Sequence, residues 1–354
     1  MRRTRSSTNA RNEAGQRLLA GTPGEAHSAL SNIRGGGAKS ASARKRGREE
    51  DNTADISFIT WNIDGLRAFM RDSMLQKSLR NLLLRRPAVL CLLEHKLQAD
   101  EPSSNQARKE LERMGDAHNY DCTWTFSPRK GFDGLLALVR RGTGDAAPQM
   151  RLVAPPSEPT LRSDACARER RLLHVEYACA HLVLAYAPNS GREGRLDFRI
   201  NEWEPAVRAL LCRLSSTGNK VVIFQGDLNV AHRRECDCWG DTDGQWGGGK
   251  ASGRTPDEQR AFDALLSDCG MLDGFRARPH PGDASATCWH QKANGAPGQR
   301  AHWKRYDYAL MSNALVSGKG MPGGLQLVHV RHHAEAFEGG RPDHLPIESV
   351  FRLV

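Results

Sequence analysis

The chain has 354 residues, 39% hydrophobic and 26% charged, with a formal net charge of +10. No apolar run approaches the ~20 residues of a membrane-spanning helix, so the composition reads as a soluble protein holding one large domain or two ordinary ones. Met1 to Arg48 carry eleven Lys/Arg against two acids, a net of +9 that leaves the remaining 306 residues near +1, so net charge does not mark the folded part as a nucleic-acid binder.

Residues 1–54 are rich in Arg, Ser, Ala and Gly without a sustained apolar period, and read as a disordered basic leader ahead of one domain over 55–354. The first forty residues are Arg- and Ser-rich and acid-poor, as mitochondrial presequences are. Arg44-Lys45-Arg46-Gly47-Arg48 resembles a short nuclear-import patch. A nuclear destination is the expectation and a mitochondrial one the alternative; a solvated tail with no receptor stays open.

Ile56 to Trp61 is strand-like and ends in Asn62-Ile63-Asp64-Gly65. Leucines at 75, 79, 82 and 83 predict a helix over 72–84, stopped before Pro87, and Val89 to Leu93 is a second strand ending at Glu94. Strands are expected at 135–139, 172–177 and 182–186, the last running into Tyr186-Ala187-Pro188-Asn189. A long amphipathic helix spans about 195–214. Val221 to Phe224 reads as a doubly buried strand, and the segment delivers Asp227 and Asn229. Two residues apart on an extended chain, these polar groups would share a side while Leu228 and Val230 face apolar surroundings. Cys236 to Gly253 reads as a loop, and Thr255-Pro256-Asp257-Glu258 starts a helix with a capping box. Strands near 286–289, 306–311, 325–330 and 347–353 complete the chain. Short strands with a few helices and no regular βαβ alternation favour two packed sheets covered by helices.

The nine cysteines include no CxxC pair, and Cys91, Cys179 and Cys212 sit in apolar runs, the pattern of buried reduced thiols. Cys236 and Cys238 lack a second ligand pair at zinc-like spacing.

Four apolar runs end in polar groups, at Asn62/Asp64, Glu94, Tyr186/Asn189 and Asp227/Asn229, and two runs begin just after Asp307 and Asp343-His344. In mostly antiparallel sheets, strand ends and strand starts share an edge, so these groups would line one cleft. Burying that many carboxylates together is unfavourable without a cation. Asp, Glu, Asn, Tyr and one His specify hard oxygen ligation, hence Mg²⁺ or Mn²⁺, and equipment for phosphodiester hydrolysis.

From Ile56 onward the chain resembles the exonuclease III-type apurinic/apyrimidinic endonucleases of the endonuclease/exonuclease/phosphatase superfamily. The matching segments, in order, are Thr60 to Ala68 (TWNIDGLRA), Glu94, Tyr186 to Arg192 (YAPNSGR), Gly226 to His232 (GDLNVAH), Thr255 to Glu258, Arg305 to Tyr308 and Asp343 to Ile347. The resemblance implies a four-layer α/β sandwich, two packed mostly antiparallel sheets flanked by helices. It implies a DNA-repair enzyme acting on double-stranded DNA with abasic sites or blocked 3′ ends, and a monomer is expected. The alternatives are another phosphodiesterase or phosphatase of the superfamily, of the 5′-tyrosyl-DNA or inositol-phosphate type, and a non-catalytic DNA-binding scaffold. Glu94 would ligate the metal with Asn62, Asp64 and Asp343 near it. Asp227 would activate the water, Asn229 would hold it, and Asp307 would pair with a phosphate-donating His344. Tyr186 and Asn189 would contact phosphate, and Arg67, Arg192, Trp303 and Tyr306, with a basic loop at Arg129-Lys130, would contact DNA.

Departures from the family pattern are local. The glutamate's QETK setting becomes Leu93-Glu94-His95-Lys96, and Pro342 replaces the serine before Asp-His. In the aromatic slot for the abasic sugar, Cys288 stands where Phe is expected, Trp303 falls one residue early, and Lys304 lies nearer the matching place. Losing one aromatic face weakens sugar discrimination by about 1–3 kcal/mol.

Overall fold

A computed structural model describes residues 55–354 except 143–150, 162–163, 192, 217–219, 240–251, 284–285, 291–301, 318–323 and 335–342. The basic leader, Arg192, Pro342 and most of the Gly/Asp/Trp loop therefore lie outside the described residues.

The strands are β1 (Ile56–Asn62), β2 (Val89–Leu93), β3 (Tyr120–Trp124), β4 (Leu135–Arg140), β5 (Leu152–Ser157), β6 (Leu172–Tyr177), β7 (Ala180–Tyr186), β8 (Val221–Asp227), β9 (Cys238–Trp239), β10 (Met271–Asp273), β11 (Cys288–His290), β12 (His302–Lys304), β13 (Asp307–Ser312), β14 (Leu325–His332) and β15 (Ile347–Leu353). One six-stranded sheet runs β14-β15-β1-β2-β4-β3, the other β10-β13-β8-β7-β6-β5, and β11-β12-β9 form a small third sheet.

Alternation along each strand builds the layers. In β2, Val89, Cys91 and Leu93 join the core between the sheets with Leu182 and Leu184 of β7 and Ile223 of β8. Leu90 and Leu92 face the other way, onto Leu75, Leu79 and Leu82 of the helix Ser73–Leu84 and Leu111 of the helix Pro102–Ala117. Val222 and Phe224 likewise face Leu210 and Leu211 of the helix Glu204–Ser216 and Phe262 of the helix Pro256–Asp268. The result is helices, sheet, sheet, helices.

The antiparallel expectation holds for all but one pair in each large sheet, β1/β2 and β7/β8, which are parallel. A parallel pair needs a crossover. The helix Ser73–Leu84 carries the first. The second runs through Arg195–Phe198, a π-helical turn at Arg199–Trp203 and Glu204–Ser216.

Two expectations are corrected. Cys212 is paired in a disulfide with Cys269, 57 residues away, because the helix Glu204–Ser216 packs beside the C-terminal end of Pro256–Asp268; no sequence spacing reports that approach. The stretch read as a loop from Cys236 contains β9, which pairs with β12.

Candidate active site at the shared edge of the sheets

The inter-sheet faces of β1, β7, β8 and β13 each carry a polar side chain at one end. Phe58 and Asn62 lie on one face of β1; Leu182, Leu184 and Tyr186 share a face of β7, Ile223 and Asp227 of β8, and Asp307, Ala309 and Met311 of β13. Asp227 is paired in register with Tyr186 on one side and Asp307 on the other, so these three stand abreast at the end of the core. Below them a buried polar rung ties the sheets together: the Gln225 amide donates to the Phe58 carbonyl at 3.1 Å, and Ser349 Oγ donates to Gln225 Oε1 at 2.6 Å.

Asn62 links the two halves of the site. Its Nδ2 donates to Glu94 Oε1 at 3.1 Å and to Asp227 Oδ2 at 3.0 Å. Asn229 reaches Asp227 by a turn rather than by the extended geometry expected from the sequence. Its φ is +49°, and its own N–H donates to Asp227 Oδ1 at 2.9 Å while Nδ2 donates to the Ala187 carbonyl at 3.0 Å. Leu228 and Val230 are buried, as expected. Asp64, Glu94 and Lys96 also take positive φ values. Left-handed non-glycine residues cost about 1–3 kcal/mol each, and four of the eight among the described residues lie at the polar cluster.

His344 Nδ1 lies 2.8 Å from Asp307 Oδ2, its Nε2 is 3.8 Å from Asp227 Oδ2, and Trp61 Nε1 donates to its carbonyl at 3.0 Å. Thr287 Oγ1 accepts from the backbone N–H groups of Tyr306 and Asp307, both at 3.1 Å. Burial alone would lower the pKa of His344, but the acidic groups of Cys288, Asp307 and Asp227 hold it well above the usual histidine range. Burial raises Asp227, His344 opposes the rise, and the Asp307 charge adds to it. Burial also pushes Glu94 up, but the Lys96 charge and hydrogen bonds from Tyr186, Lys96 and Asn62 bring it below the usual carboxylate range.

The remaining expected residues are placed as follows. Asp64 is exposed and ion-paired with Lys96, which also holds Glu94 Oε2 at 2.9 Å. Asn189 Nδ2 donates to Asn229 Oδ1 at 3.2 Å. Asp343 is half-buried, beside His344 and Cys288. Arg67 pairs with Glu101, as does Lys130, and the Arg129 guanidinium lies over the Phe132 ring. Tyr306 is 4% exposed and packs behind the surface against Ala231 and Cys288, its hydroxyl donating to the Ser252 carbonyl at 3.0 Å. Trp303 lies in β12, paired in register with Trp239 and Trp289.

Sequence reading missed the groups that hold this set in place. Glu258, seen only as a capping residue, is fully buried; its Oε1 accepts from Ser190 Oγ at 2.6 Å, Arg199 Nη1 at 3.2 Å and the Gly253 N–H at 3.1 Å. Arg199 in turn donates to the carbonyls of Pro188, Asn229 and Leu228. This ion pair clamps the Asn189 and Asn229 loops together. A carboxylate with no exposed surface has no sequence signature. His95, the departure beside Glu94, is also fully buried. Its Nδ1 accepts from the Leu97 N–H at 3.0 Å, so Nε2 carries the proton toward the Thr125 carbonyl at 2.8 Å.

Asp64, Glu94, Asp227, Asp307 and Asp343 face two cations of the cluster, Lys96 and His344. The residual negative charge and the oxygen donors of Asn62, Asp64 and Glu94 fit a hard divalent cation.

Two mixed sheets packed face to face, with acids, amides and one histidine on their common edge, are the architecture of the endonuclease/exonuclease/phosphatase superfamily. No family model matches the chain. It is 30% identical over 276 residues to the DNA repair nuclease APEX1 of Danio rerio, covering 76% of this chain and 77% of that protein. It is 27% identical over 261 residues to an exodeoxyribonuclease of Bacillus subtilis, covering 73% and 89%. Its fold superposes on the AP endonuclease LMAP of Leishmania major with a TM-score of 0.65 at 24% identity, over 92% of this chain and 99% of that one. The chain belongs to the exonuclease III-type apurinic/apyrimidinic endonuclease family.

Proposed function

We propose that the protein is a DNA-repair AP endonuclease that hydrolyses the phosphodiester 5′ to an abasic site with Mg²⁺, Mn²⁺ also serving, and that it processes blocked 3′ ends by 3′-phosphodiesterase and 3′–5′ exonuclease action. The reading is carried by Asp227, a buried carboxylate with a raised pKa, flanked in register by Tyr186 and Asp307 and touched by Asn62 and Asn229. A carboxylate so placed takes a proton from an attacking water held by the Asn229 amide. His344, kept protonated by Asp307, donates to a non-bridging oxygen of the scissile phosphate and offsets the charge that develops there. Tyr186 and Asn189 contact the same phosphate. Glu94 and Asn62, with Asp64 and Asp343 near them, would hold the cation, which supplies Lewis-acid polarisation of the phosphate when bound.

Homology with nucleases and the fold support duplex DNA as partner, and we read the chain as a monomer whose basic leader addresses it to the nucleus. The test is a duplex oligonucleotide with a single tetrahydrofuran site, incubated with Mg²⁺ or with EDTA. Incision 5′ to the site only with Mg²⁺ is expected; an intact duplex under both conditions sinks the proposal.

A further inference from the structure

Cys288 lies against the acid of the reaction proposed above. It begins β11, is 1% exposed, and forms an isolated antiparallel bridge with His344. That bridge places the Cys288 thiol, the Asp343 carboxylate and a ring nitrogen of His344 within 4.8 Å of one another.

Sulfur, imidazole nitrogen and carboxylate oxygen are the ligand types of tetrahedral zinc, whose donor atoms stand roughly 3.5 Å apart. Side-chain adjustment of about an ångström closes the present spacing to that value. Three protein ligands leave a fourth position for water or a phosphate oxygen. Mg²⁺ discriminates against thiolate, whereas Zn²⁺ and Cd²⁺ favour it. Asn62, Asp64 and Glu94 offer no sulfur, so hard and thiophilic cations sort between the two donor sets, with Asp343 common to both.

We propose that Cys288, Asp343 and His344 form a site for a thiophilic divalent cation of the Zn²⁺ type, and that its occupancy switches the nuclease off. On binding, the Cys288 S–H proton leaves to solvent as the sulfur–metal bond forms, and His344 gives up the proton of the nitrogen that turns to the metal. Burial raises the thiol pKa, so the cation must supply the drive for that deprotonation. A metal on either ring nitrogen displaces His344 from its partners, Asp307 at Nδ1 or the substrate phosphate at Nε2, and removes the acid. Inhibition rests on the role given to His344 in the proposed reaction; cation binding does not.

The test uses the full chain with Co²⁺ as spectroscopic probe. A thiolate-to-cobalt absorption band is expected in the near ultraviolet, bleached by Zn²⁺. The band should vanish in Cys288→Ala and persist in Cys236→Ala/Cys238→Ala, which removes the Cys238 thiol packed beside Cys288 and the exposed Cys236 thiol. In parallel, Zn²⁺ is titrated into Mg²⁺-supported incision of the tetrahydrofuran duplex. With each variant's inhibition read relative to its own Mg²⁺-supported rate, Cys288→Ala should raise the half-inhibiting Zn²⁺ concentration by at least the roughly tenfold that losing even an outer partner of a metal site costs. Cys288→Ser, which nearly preserves side-chain volume, guards against a folding artefact and should behave alike. The proposal is overturned if the band survives in both Cys288 variants, or if both remain as Zn²⁺-sensitive as the parent. A band without any Mg²⁺-supported incision would sink the proposed reaction and leave the cation site standing.

Discussion

Replacing Asp307 with Asn tests the proposed division of labour at the shared edge. The side chain keeps its shape and its place in register beside Asp227, but the ionised acceptor 2.8 Å from His344 Nδ1 becomes a neutral amide. Asp307 and His344 are 2% and 8% exposed, so solvent does little to replace the lost interaction. Hydrogen bonds to charged groups are worth about 1.5–3 kcal/mol, which corresponds to roughly a ten- to hundredfold fall in kcat if the imidazolium is needed in the transition state. The pH profile supplies a second reading. Asp307 is among the groups that raise His344, so without it the imidazolium loses its proton at lower pH and the alkaline limb moves toward acid. Asp307 also raises Asp227, so the acid limb should move the same way. Single-turnover incision across pH with saturating Mg²⁺, alongside DNA affinity in EDTA, measures both. Unchanged kcat with unshifted limbs would refute the roles given to Asp307 and His344.

Gly226→Ala should be severely destabilised, by about 3 kcal/mol or more, because φ is +152° and a Cβ there would sit 1.9 Å from the Ala185 carbonyl oxygen of the paired strand; a urea midpoint equal to the parent's contradicts this. Glu258→Gln removes one acceptor atom and one of the two carboxylates paired with buried Arg199, the other being Glu204, costing about 1.5–3 kcal/mol for the weakened charged hydrogen bonds. A drop in kcat with it is expected if the clamp sets the Asn189 and Asn229 loops, and Glu258→Gln with wild-type stability and kcat would dismiss the clamp. Burial pushes His95 down to about 4, the Thr125 carbonyl opposing and the Arg108 charge adding. A histidine depressed from about 6.5 is neutral in both states above that value. The unfolded chain gains protons first as pH falls, so stability should drop by about 3 kcal/mol between roughly pH 6.5 and 4. His95→Thr, measured by urea unfolding, should lose that component of the slope.

The chain-order pattern alone placed the central strands and showed polar groups at matching ends, because strand periodicity is local and buried strands leave unbroken apolar runs. It also located the capping box at Thr255 and the motifs that carry the family resemblance. Only tertiary structure decided that Tyr186, Asp227 and Asp307 stand abreast, since register depends on pairing between residues 41 and 80 positions apart in sequence. Only it showed that Asn229 reaches Asp227 through a left-handed turn, that Cys212 meets Cys269, and that Glu258, besides completing its capping box, is sealed under the site. Those facts depend on how whole layers pack, and packing brings together side chains whose individual neighbourhoods in sequence carry no mark of one another.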